Sequence, residues 1–142
     1  MPADINDLIG KQFECGARGP EKYDCHGLAI EVFKRYNIPF PDMDIVGMAA
    51  AEVNNALNDE IANHVRVLKD WERIDKPIAP CLVVLKGHFQ FANHFGVYLG
   101  DGKFVHATET KHGGHVCVNM LNQGIWRNRI AGYYRYTGKS DH

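Results

Sequence analysis

The chain has 142 residues, of which 45% are hydrophobic and 23% charged, and its formal net charge is -1. That length predicts one domain over residues 1–142 with a core of its own, without disulfide or metal staples. The near-neutral charge supplies no broad cationic surface, which argues against nucleic acid or an anionic membrane as the partner.

The opening MPADINDLIGKQF has no positive stretch followed by an apolar one, so no signal peptide is read there. No run reaches the roughly 18 apolar residues of a membrane span. The four cysteines, Cys15, Cys25, Cys81 and Cys117, are therefore expected as free thiols in a reducing cytoplasm. Release as part of an assembled particle is the alternative route.

In chain order, Ile5, Leu8 and Ile9 predict a short amphipathic helix over 3–11, and ECGARGPEKYD reads as a Gly- and Pro-containing loop. Leu28, Ala29, Val32, Phe33 and Tyr36 keep helical spacing. Asp24 stands before them as an N-cap, and NIPFPD, with Pro39 and Pro41, ends the helix. A second helical region is expected over 47–69, broken near Asn58, and WERIDKPIAP leads into the strands. Those strands are expected at 81–86, 94–100, 103–108, 115–120 and 131–136, with GDG at 100–102 as a tight hairpin. Helices followed by sequential strands predict an α+β fold, with helices on one face of an antiparallel sheet of about five strands.

Cys25 draws the first chemical question. At a helix start, unpaired N–H groups and the helix dipole favour an anion, which would lower the thiol pKa. The alternative is a small buried hydrophobe, the common fate of an unpaired cysteine. Period-2 alternation sets His94, Gly96 and Tyr98 on one strand face, and Phe104 and His106 on one face of the next. The hairpin can bring His94 and His106 together as a base and its orienting partner; taken singly, each is more often a half-exposed histidine at a strand end.

A metal site would have to draw on His106, His112, His115 and Cys117, a spacing that matches no common zinc pattern. His26 is expected to line a cleft or face solvent. Trp126 either packs the core or rims a groove. No P-loop, GxGxxG or GxSxG motif is present.

Three segments, YDCHGL, HFGVYLG and FVHA, stand in an order and spacing that resembles the NlpC superfamily of cell-wall cysteine peptidases. The resemblance covers roughly residues 10 to 110 and implies a papain-like fold. It aligns Cys25 with the family nucleophile, His94 with the general base and His106 with the orienting third residue. Tyr23, Asp24 and His26 around the thiol, and Trp126 as the rim of a groove, are the expected substrate contacts. The reaction implied is hydrolysis of peptide bonds in peptidoglycan stem peptides through an acyl-enzyme, with no metal or organic cofactor. His26 stands where many members carry Ser, Phe13 where members often carry Tyr, and Pro80-Cys81 where a Gly-Asp pair is common. The segment YDCHGLAIEVFKRYNIPFPD is most similar to stand-alone phage-tail and prophage members. That similarity implies tail proteins as partners, and delivery to the wall in a phage tail or by host lysis. A cytoplasmic thiol amidase or acyltransferase, and a catalytically silent tail component, are the alternatives on the same fold.

Overall fold

The computed structural model describes residues 4–14, 16–40, 71–85, 94–110 and 113–138. Its strands are β1 (Gln12–Phe13), β2 (Lys22–Tyr23), β3 (Trp71–Ile74), β4 (Cys81–Leu85), β5 (His94–Gly100), β6 (Lys103–Thr110), β7 (Gly113–Met120) and β8 (Ile130–Tyr136). One α-helix, α1 (Cys25–Arg35), and a 3₁₀ segment, Gly124–Asn128, complete the described elements. The eight strands form one sheet in the order β2-β1-β7-β6-β5-β4-β8-β3. This corrects the expected count of about five. The sheet is also mixed, because β1 pairs with β2 in parallel while its neighbours pair antiparallel.

The additional strands are those that sequence periodicity reads worst. Two-residue β1 lies between the expected helix over 3–11 and the ECGARGPEKYD loop, two-residue β2 lies inside that loop, and β3 carries the mixed sequence WERI. Their strand character comes from their partners: Gln12 faces His115 on β7, and Trp71–Ile74 aligns with Tyr133–Tyr136 on β8. The expected helix over 3–11 is a turn over residues 6–10 in the described part, where Ile5 and Leu8 are buried and Ile9 is exposed. The second helical region, 47–69, lies outside the described residues.

Helix α1 follows the sequence expectation closely. Asp24, with extended backbone, caps it by accepting the Gly27 N–H at 2.6 Å. The helix ends at Arg35, and Asn37 then takes a positive φ of 63° before the prolines. Leu28, Ala29, Val32 and Phe33 pack with Leu82, Val84, Phe95, Val97 and Val105 on one side of the sheet. A second cluster, Val83, Leu85, Phe104 and Leu121 with Trp126 and Tyr133 against it, lies on the opposite side. Strand β4 is buried at all five positions because both faces are covered.

The β5–β6 hairpin closes at Asp101 and Gly102, whose φ angles are 55° and 80°. Two consecutive positive φ values match the right-handed twist of the flanking strands, which is why the loop is Asp-Gly. The hairpin aligns Val97 with Val105 and Tyr98 with Phe104. Gly96 therefore faces His106, and a Cβ there would sit 2.8 Å from Phe104 Cδ2 and 3.3 Å from His106 Cβ. A glycine at this position leaves the His106 ring room to cross toward β5.

Candidate active site

The structure brings His94 and His106 together. His94 Nε2 lies 2.8 Å from His106 Nδ1, and the ring centroids are 5.0 Å apart. The second nitrogen of His106, Nε2, lies 2.7 Å from Asn119 Oδ1 on β7. Phe104 pairs with Asn119 and His106 with Cys117, so Asn119 is a diagonal neighbour of His106 on one sheet face. The result is a polar row across three adjacent strands, His94–His106–Asn119. Cys117 Sγ stands beside it, 3.3 Å from the same Asn119 oxygen.

Cys25 is the first residue of α1 and is half-buried. The backbone N–H groups of Phe95 and His26 are directed at its sulfur. Phe95 is the residue after His94, so the thiol meets β5 beside the start of the histidine row. Cys25, Cys81 and Cys117 are free thiols; Cys15 lies outside the described residues.

Trp126 of the 3₁₀ segment covers the two histidines. Its ring is stacked on His94 at 6.2 Å and stands edge-to-face on His106 at 4.7 Å. Phe104 packs against His106 from the other strand position at 4.5 Å. This apolar cover sets the electrostatics. Desolvation first, then the neighbouring His106 and Arg129 charges, pushes His94 down to about 3. Desolvation brings His106 down to about 4, against the opposing effect of its Asn119 bond.

Burial also pushes the Cys25 thiol up to about 11, outweighing the Phe95 and His26 amides that favour the thiolate. A thiol lowered by the helix start was expected from the sequence; the structure reverses that direction. The cost of removing a thiolate from water outweighs the favourable backbone N–H of His26 at the helix start. Neutral thiol and neutral imidazole are therefore the resting forms.

The other predicted contacts divide. Tyr23, Asp24 and His26 are 3%, 4% and 0% exposed, so they present little surface to a ligand. Tyr23 packs its ring against Gly19. Asp24 uses one oxygen on Gly27 N–H and the other on Gly16 N–H and Arg18. His26 was expected in a cleft or in solvent; it is buried between Phe40 and Phe95, at 5.3 and 5.8 Å. The reason is that α1 turns this position onto the aromatic cluster that closes its first turn. Trp126 remains partly exposed at the edge of the row.

Sequence reasoning missed Asn119. Its one visible signal was an asparagine inside a strand of otherwise β-favouring residues, where that side chain is disfavoured without a partner. Among the described residues, no group of three or more His, Cys, Asp or Glu side chains is arranged to hold a metal ion. No described helix is long and apolar enough to cross a membrane.

Against known proteins, the model of the NlpC/P60 family matches residues 10–135. The chain belongs to the NlpC/P60 family. The domain is 25% identical over 128 residues to murein DD-endopeptidase MepH of Escherichia coli K12, covering 89% of this chain and 41% of the relative. It is 27% identical over 133 residues to the probable endopeptidase YafL of the same organism, covering 92% of this chain and 47% of the relative. It thus spans less than half the length of either. The NlpC/P60 fold is also seen in NlpC2 of Trichomonas vaginalis, with a TM-score of 0.61 at 21% identity over 92% of this chain and 44% of that one. An NlpC/P60 protein of Bacillus cereus ATCC 10987 superposes with a TM-score of 0.59 at 19% identity, covering 96% of this chain and 41% of that one.

Proposed function

We propose that this NlpC/P60 domain is a cysteine peptidase that hydrolyses peptide bonds in peptidoglycan stem peptides. The observation that carries the reading is the 2.8 Å His94–His106 contact on β5 and β6, with the Cys25 sulfur held against the Phe95 N–H beside it. The endopeptidase relatives support the substrate class.

In this reading His94 Nε2 is engaged by His106, which leaves Nδ1 to take the Cys25 proton. Because thiol and imidazole both rest neutral, the proton moves as sulfur attacks the substrate carbonyl carbon. The negative oxygen formed is met by the backbone N–H of Cys25 itself at the start of α1. The amine then leaves with the proton returned by His94, producing a thioester on Cys25. Water, losing its proton to His94, attacks the thioester and frees the carboxylate and the thiol. His106 holds the His94 ring and accepts its Nε2–H throughout. The proposed setting, delivery to the wall as part of a phage tail, is supported by the sequence resemblance alone.

The test is hydrolysis of purified muropeptides followed by mass spectrometry. Wild type should release stem-peptide fragments, Cys25→Ala and His94→Ala should release none, and both variants should keep the wild-type circular dichroism spectrum. Wild type inert toward the muropeptides that wall endopeptidases accept, or Cys25→Ala as active as wild type, would refute the proposal.

A further inference from the structure

The row of polar groups continues past the two histidines to Asn119 on β7. Asn119 Oδ1 is an acceptor without a proton to give, and it lies 2.7 Å from His106 Nε2. The Cys117 thiol is directed at the same oxygen at 3.3 Å. Two donors converging on one atom are satisfied by a carbonyl oxygen and would be opposed by an NH₂ group. A neutral His106 bonded this way carries its proton on Nε2, which leaves Nδ1 bare. The only hydrogen bond then available across the 2.8 Å gap to His94 Nε2 has His94 as donor. A neutral His94 that donates from Nε2 has a bare Nδ1, the form a base needs.

We infer that Asn119 is a positioning residue: by accepting from His106 Nε2 it fixes the tautomers of both histidines and leaves His94 Nδ1 unprotonated. Without it, the alternative pattern becomes favourable. The Cys117 thiol, 3.7 Å from His106 Nε2, can then donate to that nitrogen, His106 carries its proton on Nδ1, and His94 must accept at Nε2. His94 Nδ1 is then protonated and has no lone pair to take the Cys25 proton, while its accepting nitrogen, Nε2, is turned to His106. The same asparagine therefore decides between a competent and an incompetent base at a distance of two rings.

The kinetic arm of the test rests on the peptidase reading; the spectroscopic arm does not. Protein labelled with ¹⁵N-histidine is examined by NMR at pH 7.5, where the protonated and bare nitrogens of a neutral ring are well separated. Wild type should show both His94 and His106 as Nε2–H tautomers. Asn119→Leu should move His106 to Nδ1–H and His94 with it, and Asn119→Asp, still an acceptor, should restore the wild-type pattern. On muropeptides, Asn119→Leu should lower kcat at least roughly tenfold, with KM within about twofold, and Asn119→Asp should recover most of that loss. A wild-type His94 protonated on Nδ1, or Asn119→Leu retaining both Nε2–H tautomers, overturns the inference even if Asn119→Leu is less stable. A wild type with the expected tautomers that cleaves no muropeptide overturns the substrate reading and leaves the role of Asn119 intact.

Discussion

Acidification should destabilise this domain through the two covered histidines, and the size of the effect follows from their surroundings. In the unfolded chain both rings titrate near 6.5, whereas in the fold they are held at about 3 and about 4. A folded pKa below the unfolded one means that the unfolded state binds more protons between the two values. The associated stability is complete above pH 6.5 and is lost as pH falls toward the folded values. At pH 5 each ring stands about 1.5 units below its unfolded pKa, which at about 1.4 kcal/mol per unit is about 2 kcal/mol. The pair together amounts to about 4 kcal/mol, a large share of the 5–15 kcal/mol typical of a domain. The assay is urea unfolding followed by far-UV circular dichroism at pH 7.5 and pH 5.0, on wild type and a His94→Gln, His106→Gln double variant. Glutamine does not titrate, so the double variant should lose about 4 kcal/mol less than wild type over the same interval. Equal losses in the two proteins, within about 1 kcal/mol, would show that the rings are not held neutral by burial, and the resting state described above would be wrong.

The Cys25 thiol, pushed up to about 11, should react with iodoacetamide at pH 7.5 about 100-fold more slowly than an ordinary cysteine. Its rate should climb about tenfold per pH unit to pH 10, as read by mass spectrometry; fast labelling that is flat between pH 6 and 8 would instead indicate a thiolate–imidazolium pair. Gly96→Ala forces a Cβ within 2.8 Å of Phe104 Cδ2 and 3.1 Å of the Val105 carbonyl oxygen. It should cost about 1–3 kcal/mol in urea unfolding, and displacement of His106 should lower turnover beyond any loss of folded protein. Asp24→Ala removes the acceptor of two backbone N–H groups and of Arg18, and should cost about 2 kcal/mol or more by the same measurement. Asp24→Asn, which keeps the cap but not the charge, should cost less.

Much of the framework was legible in the residues alone. Asp24 before a helically spaced run marked the start of α1, and Asp101-Gly102 marked the β5–β6 hairpin, because both signals are local and each is satisfied within a few residues. Period-2 alternation placed His94 and His106 on faces that could meet. The NlpC resemblance rested on the same three segments. The short strands β1, β2 and β3 were not legible, because a two- to four-residue strand owes its conformation to partners far along the chain, such as His115 for Gln12 and Tyr136 for Trp71.

The sequence by itself determined which residue types could do chemistry here and roughly where each sits on its element. Only the tertiary structure decided their states. Cys25 at a helix start reads as a lowered thiol, and burial raises it. His26 beside it reads as a cleft residue, and Phe40 and Phe95 enclose it. Asn119 reads as an unfavourable strand residue, and the pairing of β6 with β7 makes it the partner of His106. In each case the deciding quantity is removal from water or a contact across strands. Neither is a property of neighbours in sequence, so both arise only when the sheet has closed around the site.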